Sequence, residues 1–340
     1  MNDTGPVQLP PVGLHDIRSA QKQIAGAVVA TPCPESSGLS ALCHARVFCK
    51  LEYMQRTASF KERGVANALA HFRQQPSNKN KGVIAASAGN HALALAYHGR
   101  RLDIPVTVVM PEGAPLIKAT NCRRLGAEVI KHGRSFREAR EHADALALLR
   151  GLMYLHGYDD PLVIAGQGTV GLELLEQVPD MEAVVVPVGG TGLIAGVAAA
   201  VKAIRPAVQI IGVEPEASAS YTAALAQGGP VAVDVSPTCA DGLAVGQVGR
   251  LAFVTARPLV DRVVTVSEPA LTLAIYRLIE IEKAVVEGAG AAGLAAMLAG
   301  KLPELAGRTV VLLLSGGNID PLVLQRMVEQ GLTADGRPRR

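Results

Sequence analysis

The run Ala183-Val184-Val185-Val186-Pro187-Val188 leads directly into Gly189-Gly190-Thr191-Gly192-Leu193, and a helical pattern follows from Leu193 to Ile204. A continuous apolar run of this length reads as a strand buried on both faces. The glycines turn the chain tightly, and the chain returns as a helix. The same order recurs upstream. Gly82-Val83-Ile84-Ala85-Ala86-Ser87 is apolar, Ala88-Gly89-Asn90 turns, and His91 to Tyr97 is helix-like. Ile104 to Met110 is β-branched and ends at Pro111. A helix through Lys118 to Leu125 stops at Gly126, and Glu128-Val129-Ile130 is another strand. Ser135 to Leu149 is amphipathic and charged, as an outer helix is.

A second block starts near residue 160. Its strands are read at Ala183 to Val188, Val208 to Val213, Val260 to Val266 and Arg308 to Leu314. Helices follow at Leu193 to Ile204, Pro269 to Lys283 and Ala289 to Leu298. Apolar strands alternating with helices imply α/β architecture with mainly parallel sheets covered on both faces. Gly228 to Thr238 reads as a connection, and no tandem repeat is seen. Ligands of such sheets bind beyond the carboxyl ends of the strands, where the glycine turns lie.

Composition narrows the function. The 340 residues are 49% hydrophobic, with 35 glycines, six tyrosines, five phenylalanines and no tryptophan, which suits a large Ala/Val/Leu core. A net charge of +3, from 33 basic and 30 acidic residues, argues against a nucleic-acid partner. Cys33, Cys43, Cys49, Cys122 and Cys239 show no CxxC or metal-ligand spacing, and an odd number fits reduced thiols in the cytoplasm. Met1-Asn2-Asp3-Thr4-Gly5-Pro6 lacks the order of a signal peptide, and no apolar run suits a membrane span. Arg337-Pro338-Arg339-Arg340 reads as a solvated tail.

Four segments carry chemistry. In Ser59-Phe60-Lys61-Glu62-Arg63-Gly64, Ser59 and Glu62 have capping-box spacing, which puts Lys61 at the second position of a helix. There it faces the positive end of the helix dipole, which disfavours the ammonium. A lysine of lowered pKa beside an anion site suits Schiff-base chemistry. The turn Gly189 to Leu193 reads as a phosphate cup, to which Thr191 would add a hydroxyl. Ser87-Ala88-Gly89-Asn90-His91 offers amides, a hydroxyl and a side-chain amide to a carboxylate. In Leu314-Ser315-Gly316-Gly317-Asn318 a serine leaves the end of a buried strand, where it can bond one ring atom. Each segment also has a bland reading, as a helix cap or tight packing turn.

Together these segments resemble the fold-type II pyridoxal-phosphate enzymes, and among them the threonine/serine dehydratases (threonine ammonia-lyases). The resemblance runs in order through Ser59 to Gly64, Ser87 to Ala92, Ile164-Ala165-Gly166-Gln167-Gly168-Thr169, Gly189 to Leu193, Ala240-Asp241-Gly242, Glu287-Gly288-Ala289-Gly290 and Ser315 to Asn318. It implies a tryptophan synthase β-like architecture of two domains with the active site between them. Residues 1–72 and 160–330 would form the large cofactor-binding domain, 73–159 a small mobile one, and 331–340 a tail. It implies pyridoxal 5'-phosphate held covalently by Lys61. Phe60 would lie beside the ring, Asn90 at its 3-hydroxyl and Ser315 at its nitrogen. Gly189, Gly190, Thr191, Gly192 and Leu193 would cradle the phosphate. Ser87, Ala88, Gly89, Asn90 and His91 would hold the substrate carboxylate.

Three departures stand out. Thr191 interrupts what is usually a run of four glycines. Ala88 stands where serine racemases of the family carry a second, serine base, so racemisation is disfavoured. Glu214 matches the glutamate of a divalent-cation site, but the aspartate position reads Ser220 and Glu216 is out of register, so no metal is assigned. His91 is expected to be structural, and His132, His142 and His156 surface or capping residues. Asp159-Asp160 reads as a turn and Cys239 as a buried small residue. The expectation is a cytoplasmic, homo-oligomeric (dimeric or tetrameric) lyase that turns a β-hydroxy amino acid, L-threonine or L-serine, into a 2-keto acid and ammonia. The rivals are a racemase or β-replacement synthase on the same fold, and a non-catalytic nucleotide-binding α/β protein.

Overall fold

A computed structural model describes residues 11–79 and 81–334. Met1 to Pro6 and Arg337 to Arg340 lie outside them. The described residues form two parallel sheets. The larger runs in the order β1 (Arg46–Leu51), β9 (Thr309–Leu314), β6 (Ala183–Pro187), β7 (Gln209–Pro215), β8 (Arg262–Val266). The smaller runs β4 (Glu128–Lys131), β3 (Val106–Met110), β2 (Val83–Ala86), β5 (Met153–Tyr154). Every pairing is parallel, with Leu51 beside Leu314 and Val185 beside Leu312.

The helices are α1 (Leu14–Ile24), α2 (Ser37–Cys43), α3 (Lys61–Gln74), α4 (Asn90–Arg101), α5 (Leu116–Arg124), α6 (Phe136–Arg150), α7 (Pro161–Gln177), α8 (Gly192–Ile204), α9 (Ser220–Gln227), α10 (Arg250–Ala256), α11 (Glu268–Glu282), α12 (Gly288–Leu298) and α13 (Pro321–Ala334). Helix α13 runs to Ala334, and its Leu324 and Met327 pack onto the core. No helix among the described residues is long and apolar enough to cross a membrane.

The apolar runs become strands because both faces are covered. Every residue of β6 and β9 is buried. One core cluster joins Val184 and Val186 to Ile194, Val197 and Ile164, and another joins Val185 and Leu312 to Leu294, Ile275 and Leu271. Helices pack through small residues. A Cβ on Gly166 would lie 2.5 Å from the Arg63 carbonyl oxygen and 2.6 Å from Gly64 Cα, so α3 and α7 touch backbone to backbone. Gly196 on α8 meets Gly168 on α7 as closely. These contacts set how closely α3 and α8, the two helices that border the site, approach α7. Because the strands are parallel, the carboxyl ends of β1, β6 and β9 share one edge of the sheet, as open α/β folds require for a ligand crevice.

Candidate active site

Lys61 is the first residue of α3, not the second, and Phe60 precedes it without a side-chain cap. Ser59 does not cap the helix. It is fully buried and pairs in an isolated antiparallel bridge with Gly316. That bridge commits its backbone to the edge of β9. Glu62 reaches back instead to the Thr57 amide, and its other oxygen lies 3.3 Å from His98 Nε2.

The contacts around Lys61 close into a ring. Phe60 N donates to the Ser315 carbonyl at 3.0 Å, and Gly317 N donates to the Ala58 carbonyl at 2.9 Å. On the other side, Lys61 Nζ donates to the Gly157 carbonyl at 2.6 Å. The next residue, Tyr158, lays its ring on Gly190, and a Cβ on Gly192 would lie 2.6 Å from the Tyr158 carbonyl oxygen. A Cβ on Gly189 would lie 3.1 Å from Leu243 Cα, and one on Gly242 would lie 3.1 Å from Ala289 Cβ. Glu287 N then donates to the Gly316 carbonyl at 3.0 Å, back at the end of β9. Asn90 enters from the smaller sheet, donating to Glu287 Oε1 at 2.7 Å and accepting from Asn318 Nδ2 at 2.8 Å. Segments far apart in sequence thus surround one amine.

Burial sets the electrostatics. It lowers the Lys61 ammonium to about 8, with Glu287 opposing the shift. Burial, aided by Asp241, pushes the Glu287 carboxyl up to about 7, against the pull of Asn90. Burial, then the Lys61 charge, lowers His91 to about 3. His91 Nε2 lies 3.1 Å from the Leu155 carbonyl, which only accepts, so Nε2 carries the proton. The imidazole is neutral, with Nε2 held at that carbonyl and Nδ1 buried without a hydrogen-bond partner among the described residues. Its backbone amide remains one of the free donors in the first turn of α4.

The two turns expected to hold anions differ. Ser87 to His91 presents the start of α4, where the Ser87 hydroxyl accepts from Gly89 N at 3.3 Å. Gly189 to Leu193 presents the start of α8. Its Thr191 Oγ1 is buried with no hydrogen-bond partner among the described residues, and Thr191 sits at φ +75°. An orphaned hydroxyl, free helix-start amides and glycines with no room for a Cβ fit a phosphate. An amine lowered to about 8 fits a carbonyl-bearing group beside it. Ser315 is 2% exposed at the end of β9.

Glu214 does other work. It accepts from Tyr221 N at 2.7 Å and from Thr222 N and Oγ1 at 2.8 and 2.7 Å, so it caps α9. Among the described residues no group of three or more His, Cys, Asp or Glu could hold a metal ion. Asp160 caps α7 through Leu162 N and Val163 N, and Asp159 caps α10 through Arg250 N and Ala252 N. His132 and His142 stack on each other at 3.8 Å.

Sequence reasoning gave no role to Gly157, Tyr158 or the side chains of Glu287 and Asn318. Glu287 and Asn318 stood inside motifs, so a buried-polar argument could have raised them. Gly157 and Tyr158 carried no signal.

Comparison with known proteins places the chain in a family. The profile described as "Pyridoxal-phosphate dependent enzyme" matches residues 24–316. The L-threonine ammonia-lyase of Thermotoga maritima is 44% identical over 326 residues, covering 96% of this chain and 80% of that protein. The structure of maize serine racemase has a TM-score of 0.88 at 33% identity, covering 96% of this chain and 100% of the other. The processed form of threonine deaminase isoform 2 from Solanum lycopersicum has a TM-score of 0.86 at 35% identity, covering 97% and 99%. With most of its length inside the profile and relatives well above 30% identity, the chain belongs to the pyridoxal-phosphate dependent enzyme family.

Proposed function

We propose that the protein is an ammonia-lyase that dehydrates a β-hydroxy amino acid, L-threonine or L-serine, to a 2-oxo acid and ammonia. The observation that carries this reading is the Lys61 amine, lowered by burial and held at the carbonyl of Gly157, which packs on His91 of α4 while Tyr158 packs on Gly190 and Gly192 at the start of α8. Pyridoxal phosphate, when bound, supplies an electron sink for an amino acid joined to it through nitrogen. Lys61 would hold it covalently, and Gly189, Gly190, Thr191, Gly192 and Leu193 would hold its phosphate. Phe60 would flank the ring, with Ser315 at its nitrogen and Asn90 at its 3-hydroxyl.

The chain's own groups then divide the work. Ser87 and the amides of Ala88 to His91 would orient the substrate carboxylate. Once freed, Lys61 Nζ would take the proton from Cα. With its pKa at about 8, about a tenth of the amine is neutral at pH 7, against about three in ten thousand at an ordinary 10.5. Loss of hydroxide from Cβ, protonated as it leaves, completes the removal of water across Cα–Cβ. The released enamine hydrolyses to the 2-oxo acid and ammonia. Ala88 has no proton to give to the opposite face of Cα, which supports elimination over racemisation.

The larger sheet's residues would form the cofactor-binding domain (1–72 and 160–330) and 73–159 the mobile one. The ion pair of Lys118 Nζ with Asp241 Oδ2, at 2.6 Å, would then join the two. Such a part-exposed pair is cheap to break and suits a unit that opens. A cytoplasmic setting is supported by five free thiols. A homo-oligomer remains our expectation.

Release of 2-oxo acid from L-threonine and L-serine by the loaded enzyme tests the reading. Lys61→Ala should abolish it while leaving the fold intact. Substantial turnover by that variant would overturn the assignment.

A further inference from the structure

Two residues beyond Lys61, Arg63 is fully buried. Residues two apart lie on opposite sides of a helix, so Arg63 faces away from the Lys61 amine. Its guanidinium grips two carboxylates at once. Nε and Nη2 donate to Glu52 at 2.8 and 2.7 Å. Nη1 and Nη2 donate to Glu173 at 2.6 and 2.8 Å. Nη1 also reaches Thr169 Oγ1 at 3.1 Å. Glu52 is itself fully buried and accepts from Thr31 Oγ1 at 2.5 Å. Lys50, also fully buried, completes the set, donating to Glu173 at 2.5 Å and to the Thr31 carbonyl at 2.6 Å. Two cations and two anions cancel.

A buried charge network of this kind adds little stability over well-packed apolar side chains. What it adds is direction. A double fork fixes rotation about the helix axis, which a greasy contact does not. The lever arm is long. Lys61 Nζ lies roughly 8 Å from the axis of α3, so a turn of about 10° moves it by about 1.4 Å. An error of about 1 Å at a reacting group costs about a hundredfold in rate.

We propose that Arg63 is the positioning residue for Lys61: by gripping Glu52 and Glu173 it sets the rotation of α3 and so holds the amine at the Gly157 carbonyl, facing the Gly189 to Leu193 turn. The inference rests on Lys61 being the working lysine, and the test separates the two.

Two variants serve. Arg63→Lys keeps the charge and loses the fork. The double variant Glu52→Gln/Arg63→Met removes one charge of each sign and leaves Lys50 with Glu173, so no buried charge is stranded. In the loaded enzymes kcat should fall 30- to 100-fold while KM for L-threonine stays within about threefold. In the cofactor-free proteins, acylation of Lys61 by an amine reagent, read by peptide mass, should have its pH midpoint near 8 in the parent and higher in both variants. Lys61→Ala, run alongside, reports on the underlying reading: turnover there refutes Lys61 whatever Arg63 does. With Lys61→Ala inactive, parent-like kcat in the folded double variant would overturn the proposal. A loss of rate that tracks only the folded fraction, with the midpoint unmoved, would also overturn it.

Discussion

Asn90 Nδ2 lies 2.7 Å from Glu287 Oε1, so a side chain of the smaller sheet's first helix is bonded to one beside the end of β9. The bond leaves Glu287 buried and its carboxyl raised to about 7 by that burial, next to a lysine lowered to about 8. The two groups change charge within the same narrow range of pH. Neutral acid with charged amine gives way to charged acid with neutral amine, which is the state a proton-abstracting lysine needs.

Glu287→Gln should therefore change how stability depends on pH. An acid with a raised folded pKa stabilises fully below its unfolded value of 4.5, and that contribution is lost as pH rises to about 7. The glutamine variant escapes the loss and keeps an oxygen for Asn90. Relative to the parent it should gain on the order of 2–3 kcal/mol between pH 4.5 and 7. Urea melts of the cofactor-free proteins across that range check it. A pH-independent difference would mean Glu287 is solvated.

Thr191 is a β-branched residue at φ +75°, a conformation that costs L-residues roughly 1–2 kcal/mol and glycine nothing. Thr191→Gly relieves that strain, and the looser unfolded chain takes back about 0.5–1 kcal/mol. The cofactor-free variant should melt at or slightly above the parent's temperature. Its affinity for pyridoxal phosphate should still fall, by roughly three- to tenfold, because the orphaned hydroxyl is gone. Thr191→Val should lose the hydroxyl and keep the strain. If affinity is unchanged in both variants, the hydroxyl faces no phosphate.

Ala88→Ser tests the preference for elimination. The substitution puts a hydroxyl proton in the turn before α4, within the partly exposed segment Ala88 to Asn90. The variant should form D-amino acid from an L-substrate at a rate the parent does not approach, measured by chiral chromatography. A parent enzyme that racemises serine faster than it deaminates it would defeat the whole reading.

The parallel fold was legible because its strands are apolar along their whole length and its turns are glycine-rich, as at Ala183 to Gly192. The short β5 at Met153–Tyr154 and β1 at Arg46–Leu51 were not legible. β5 has two residues, and β1 carries Arg46 and Lys50, whose charges are met by Glu35, Asp180 and Glu173 only in the folded chain. Lys61 was legible as a special lysine, but for the wrong reason. The helix dipole suggested a lowered pKa, whereas burial accounts for it, with the Glu287 charge opposing. The cap at Ser59 misled because spacing alone ignores the bridge to Gly316. Tyr158 could not be found, since its contact with Gly190 joins two loops that no local pattern connects.

Ser315 gives the sharpest chemical test. It follows the last residue of β9, almost fully buried, and its carbonyl receives the amide of Phe60, the residue beside Lys61. A hydroxyl there can donate to a neutral ring nitrogen or accept from a protonated one, so it does not force either state. Ser315→Ala should leave pyridoxal phosphate bound and slow turnover roughly tenfold, the cost of about one hydrogen bond to a group that gains charge during reaction. Ser315→Asp should behave differently, because a carboxylate favours the protonated nitrogen and so stabilises the charge left when Cα loses its proton. Proton removal then outpaces loss of the hydroxyl. A long-wavelength absorbance should build up in stopped-flow mixing with L-threonine, and 2-oxo acid should appear more slowly. Unchanged rates and spectra in both variants would make Ser315 a structural residue of the Gly316-Gly317 turn and assign the ring nitrogen to another partner.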